Sequence, residues 1–107
     1  KISAENVGVF PNPYYAFNPL EVFRLSRFVT FNNLPQKATI RIFNLAGQLT
    51  RVIEKDDPSQ FAQWDLLNQG LIPAASGVYI IHVDMGEIGE KVLKLVLVQE
   101  AEVLPVY

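Results

Sequence analysis

One histidine, no cysteine and a few scattered carboxylates are the material from which any chemistry in this chain would be built. His82 sits on an alternating apolar run near Asp84, with no thiol to activate. A metal centre needs several converging imidazole, thiolate or carboxylate ligands, and this pair falls short. His82 therefore reads as a strand-end residue on a partly covered face. Asp56 and Asp57 are adjacent, so on extended backbone they point to opposite sides. They read as initiators of a turn at Pro58, with weak calcium binding as the alternative. Glu87 and Glu90 read as a solvated hairpin tip. No helix follows Gly86 or Gly89, so these glycines do not make a phosphate loop. Ser76 reads as a turn residue, and no Ser-His-Asp set is spaced for nucleophilic attack. The residues thus predict a non-enzyme with no cofactor and no metal. The aromatic cluster Tyr14, Tyr15, Phe17 and Phe23 allows two readings. It is either a sugar-stacking platform, carried above all by Tyr14, Tyr15 and Phe17, or a cover over an open end or edge of the core. The second is the reading preferred on sequence.

The bulk properties narrow the class. At 107 residues the chain has room for a single domain, and half its residues are apolar, enough for a core. A net charge of −2 gives no basic stripe for nucleic acid. Without cysteine there are no disulfides, and no apolar run approaches the roughly 20 residues that span a bilayer. The first residues, Lys1 to Glu5, lack the apolar stretch of a signal peptide, as expected of a piece of a larger protein.

The elements that position these residues are strands. Val7 to Phe10 is extended and is stopped by Pro11-Asn12-Pro13, where each proline fixes its own φ and restricts the residue before it. Tyr14 to Arg27 has no clean period and reads as a long loop or irregular edge strand. Arg27 to Phe31 is strand-like. In Lys37 to Phe43, Ala38, Ile40 and Ile42 share one face, and Lys37, Thr39 and Arg41 share the other. Asn44 to Gly47 fits a type I turn with a left-handed glycine, so Lys37 to Ile53 is a hairpin. Glu54 to Ser59 reads as a polar loop. Phe61 to Leu66 is a strand with Trp64 in the core. Val78 to Asp84 is apolar on both faces at its start and is predicted to be central in its sheet. In Lys91 to Val98 the leucines 93, 95 and 97 face the core, leaving a valine row outward. Tyr79 fits a corner tyrosine whose hydroxyl returns to nearby backbone. About seven short antiparallel strands without an amphipathic helix predict an all-β, immunoglobulin-like β-sandwich, with a small barrel as the alternative. The domain is residues 1–107, with its core about 7–99.

Five segments taken in order carry a family resemblance. They are Val9-Phe10-Pro11-Asn12-Pro13, Ile40 to Leu49, Trp64-Asp65, Ala75-Ser76-Gly77-Val78-Tyr79, and Lys91 to Leu97. Together they resemble the type A C-terminal sorting domain of proteins exported by the type IX secretion system of Bacteroidetes-related bacteria. They are also similar to the immunoglobulin-like domain of flagellar hook-capping proteins. The resemblance spans roughly Val7 to Gln99; each segment alone is weak, and their order carries the inference. Two departures stand out: the Tyr14 to Arg27 insert is long, and Glu100 to Tyr107 continues past the usual last strand.

The resemblance implies a sorting domain that the translocon recognises after periplasmic folding. It also implies an N-terminal cargo domain in the same polypeptide, delivery to the outer-membrane surface or the extracellular space, and removal by a sortase-like surface protease. By position, the family motifs fall on Pro11, Asn12 and Pro13, on Gly77 and Tyr79, and on Lys91 and Lys94. A closing edge strand with unpaired backbone would suit recognition by strand addition. Two other functions are weighed against sorting: a carbohydrate-binding or spacer sandwich within a surface hydrolase, and a hook-cap-like assembly module. No nucleic-acid partner and no membrane span are expected.

Overall fold

The computed structural model describes residues 3–16 and 27–99. In chain order these form a 3-10 turn (Ala4–Asn6), β1 (Gly8–Phe10), β2 (Tyr14–Ala16), β3 (Val29–Asn32) and β4 (Lys37–Asn44). Then come β5 (Leu49–Asp56), β6 (Ala62–Trp64), β7 (Gly77–Asp84), a 3-10 turn (Gly86–Ile88) and β8 (Glu90–Gln99). Two sheets pack face to face, a three-stranded one in the order β1-β3-β6 and a five-stranded one in the order β2-β8-β7-β4-β5. The fold is an immunoglobulin-like β-sandwich.

The side-chain alternation read from sequence decides which face is buried. In β4, Ala38, Ile40 and Ile42 are buried and the residues between them are not. In β7, Tyr79, Ile81 and Val83 are buried, while Val78, Ile80 and His82 lie half-covered on the outer face. β7 is flanked by β8 and β4, so the run with two apolar faces is indeed interior to its sheet. Across the sandwich, Val29, Phe31 and Trp64 complete the core with Leu95 and Leu97 of β8. Each large apolar side chain fully removed from water contributes about 1.5–3 kcal/mol. The Asn44 to Gly47 turn forms as predicted. Gly47 has φ 83° and its N–H donates to the Asn44 carbonyl at 3.0 Å.

Of the two readings of the Tyr14 to Arg27 segment, the irregular edge strand is the one seen: Tyr14–Ala16 forms β2 at the edge of the five-stranded sheet, one of eight strands among the described residues. Three expectations are corrected. β2 runs parallel to β8, so the pairing is not wholly antiparallel. The hairpin's return strand extends through Asp56, with Lys37 opposite Asp56, which takes Glu54 to Asp56 out of the polar loop. Finally, β8 is an edge strand along only part of its length, since β2 lies outside it along Leu97–Gln99.

Candidate recognition site: the closing strand and its clamps

The Pro11-Asn12-Pro13 triplet carries the chain from one sheet to the other. Before it, β1 pairs with β3; after it, β2 pairs with β8. Both X-Pro peptides, Phe10–Pro11 and Asn12–Pro13, are cis. A proline offers no N–H to a ladder, so between the two short strands the pairing passes to the Asn12 side chain. Its Nδ2 donates to the Lys94 carbonyl at 2.7 Å, and its Oδ1 accepts from the Val96 N–H at 3.1 Å. The carboxamide thereby stands in for one residue of a neighbouring strand. Two of the motif positions, Asn12 and Lys94, are thus brought into contact.

At the other end of β8 a second clamp holds the strand. Ser76 Oγ donates to the Gln99 carbonyl at 2.7 Å and accepts from the Gln99 N–H at 2.8 Å. The Gln99 amide in turn donates to the Ala74 carbonyl. Gly77 follows with φ 151°, a conformation costly for other residues, although open space surrounds its α-carbon. Tyr79 is buried and its hydroxyl donates to the Ala75 carbonyl at 2.7 Å, the predicted corner. Burial pushes the Tyr79 phenol above its ordinary value. Its ring meets Trp64 edge-on, with centroids 5.9 Å apart. Trp64 Nε1 donates to the Leu67 carbonyl at 2.8 Å. Asp65 accepts from the Leu67 N–H and pairs with Arg51 at 2.9 Å, so the Trp-Asp pair fills the core and shapes the turn after it.

The remaining candidate residues separate by exposure. Lys94 is exposed, whereas Lys91 is half-buried and donates to the Glu5 carbonyl at 3.3 Å. Tyr14 is buried and Tyr15 is 60% exposed; Phe17 and Phe23 lie outside the described residues. With Tyr14 in the core, the described part of the aromatic cluster presents one open ring rather than a platform. His82 Nε2 lies 2.8 Å from Glu90 Oε1, a cross-strand contact on the outer face. Among the described residues no three His, Cys, Asp or Glu side chains converge on a metal position. Asp57 accepts from the Ser59 N–H at 3.0 Å, the predicted turn role. An open groove lined by Gln36, Lys37, Thr39, Asp84, Met85 and Glu87 gathers none of the motif residues.

Three contributors were missed on sequence. Ser76 read only as a turn residue, although its place before Gly77 and at the start of β7 sets it beside the end of β8. Gln69 was not singled out on sequence. Its backbone N–H donates to the Thr50 carbonyl at 2.8 Å and its Oε1 accepts from the Val52 N–H at 3.2 Å, covering the β5 edge. Lys55, assigned to a polar loop, is buried. Its ammonium donates to the carbonyls of Pro35, Gln36 and Asp57 at 2.7, 3.2 and 2.8 Å and pairs with Asp57 Oδ1 at 3.0 Å. Its position on the core face of β5, in alternation with Ile53, was the available signal.

No protein-family model and no curated protein matches the sequence. Solved structures do share the fold. One is PorZ, an essential bacterial surface component of the type-IX secretion system of Porphyromonas gingivalis, at 23% identity and a TM-score of 0.66 over 88% of this chain. Another is dimeric latent PorU from the same organism, at 20% identity and a TM-score of 0.60 over 88% of this chain. The match covers 12% of the PorZ chain and 9% of the PorU chain, so this chain corresponds in size to one small part of each. At these identities the likeness establishes a shared β-sandwich.

Proposed function

We propose that this chain is a non-catalytic sorting domain of the type IX secretion pathway, joined in its full polypeptide to an N-terminal cargo domain. The observation that carries the reading is the fold shared with one small part of PorZ, a surface component of that system. The sequence resemblance points the same way, and its segments lie together: Pro11-Asn12-Pro13 and Ser76 to Tyr79 border β8, which itself contains the Lys91–Lys94 stretch. On this reading the domain folds in the periplasm, the translocon binds it there, and the cargo reaches the cell surface, where a sortase-like protease removes the domain. The carbohydrate alternative loses its main support with Tyr14 in the core.

A reporter fusion tests the proposal. The 107-residue chain is placed behind a signal peptide and a periplasmic reporter in a type IX-competent bacterium and in a strain lacking the translocon. Surface delivery in the first strain only is the expected result. Retention of a folded, protease-resistant fusion in the periplasm of both strains would overturn the assignment. Truncation before Lys91 makes a poor negative control, because it removes the buried Leu95 and Leu97 and dismantles the core. The strain lacking the translocon serves as the negative control, and Tyr15→Ala, an exposed change, should export normally.

A further inference from the structure

The outer edge of β8 is covered along only part of its length. In an antiparallel ladder, alternate residues turn both backbone groups to the same side. The bonds from Asn12 to the Lys94 carbonyl and the Val96 N–H show that even-numbered residues of β8 face away from β7. β2 covers the strand beyond that point. On the near side of Asn12, the same alternation turns outward the Lys94 N–H and both backbone groups of Val92 and Glu90. No described residue bonds to them, and Val92 is 61% exposed.

We propose that this open stretch pairs antiparallel with the same stretch of a second copy of the chain, about a two-fold axis at Val92. The groups on the two copies match one another, and only the Glu90 N–H meets an acceptor already in use, the Lys94 carbonyl that also accepts from Asn12. Each Val92 N–H meets the other copy's Val92 carbonyl, and each Lys94 N–H meets the other copy's Glu90 carbonyl. The side chains match as well. In this register Glu90 of one copy lies directly opposite Lys94 of the other, and directly opposed pairs of opposite charge stabilise a strand pairing. Both residues are exposed on the same outer face. A two-fold axis makes one complementary pair into two, which is the economy of an isologous contact. The far edge of the five-stranded sheet lacks this property. Beyond the stretch covered by Gln69 it presents the exposed acids Glu54 and Asp56, which set Glu54 against Glu54 in an antiparallel self-pairing centred there. The β8 contact is short compared with the roughly 1,200 Å² or more that a stable interface buries. The association is therefore weak in solution and is strengthened when many copies share a surface. It follows from the fold alone and holds whether or not the chain is exported.

Sedimentation equilibrium of the 107-residue chain tests this. The weight-average mass should climb toward that of a dimer between about 10 µM and about 1 mM, a range set by the small contact. Lys94→Glu and Glu90→Lys each place like charges across the axis and should each weaken dimerisation at least tenfold. An equimolar mixture of the two restores opposite charges at both positions and should recover it. Val92→Pro removes the central outward donor while leaving the β7 ladder intact, and should give a folded monomer by circular dichroism. A wild-type chain that stays monomeric to 1 mM, assembly beyond a dimer, or a mixture that fails to recover would each overturn the inference. None of these results bears on export, so failure here is distinguishable from failure of the sorting assignment.

Discussion

Tyr79 shows how one residue can be read correctly from its neighbours. A tyrosine two positions after a glycine at the head of an apolar run has its ring drawn inward and its hydroxyl left near the incoming backbone, and both occur. Tyr79→Phe should cost about 1 kcal/mol in urea unfolding, the usual loss for a hydrogen bond of this kind. Burial raises the phenol above 10.0, so the folded state holds this proton more tightly than the unfolded chain does. Its contribution is whole below about pH 10 and is lost as pH rises through the folded value. Tyr79→Phe should remove that part of the alkaline decline in stability, measured by unfolding at graded pH. Lys55 illustrates the opposite case. A lysine followed by two aspartates and a proline reads as solvent-exposed, and only the tertiary arrangement reveals that three carbonyls surround its ammonium. Lys55→Met keeps the stem but leaves the buried Pro35 carbonyl without its donor, and should destabilise the fold by about 1–3 kcal/mol, read from the shift in denaturation midpoint.

Strand identity and facing were legible because burial alternates with period two, as in β4, β7 and β8. What alternation does not encode is the strand beside each strand. β2 is three residues long and carries two tyrosines whose faces differ by burial alone, so no hydrophobic pattern announces it. The cover that Asn12 gives β8 was equally hidden, although a residue flanked by two prolines is a place where backbone pairing must fail and a side chain can take over. Asn12→Ala should accelerate amide exchange at Val96 while leaving Leu95, whose backbone faces β7, protected. The stability cost should be about 1 kcal/mol, since the site is exposed. Asn12→Asp retains the acceptor for Val96 but sets an oxygen against the Lys94 carbonyl. It should cost more than the alanine change.

For the molecule as a whole, composition and strand count pointed to a sandwich, and the sandwich is what forms. The order of strands within each sheet was not legible, because it depends on contacts between residues far apart in sequence. The N-terminal segment is the chief case. β1 serves one sheet and β2 the other, so a few residues close a side of each. A chain beginning at Tyr14 loses β1, the buried Val7 and Asn12 together. It should be less stable by about 3–5 kcal/mol, a larger loss than Asn12→Ala causes, and thermal unfolding of the two variants side by side checks the ranking.

The contact between Asn12 and β8 joins residues 82 and 84 positions apart. Contacts of such separation cannot form until the later residues exist. On a ribosome or at the mouth of a narrow channel, the first strands would wait, with both sheets incomplete, until Lys94 and Val96 had emerged. Closure of the sandwich then signals that the polypeptide is present through its last strand, and any machinery that binds only the closed form would pass over chains cut short before it.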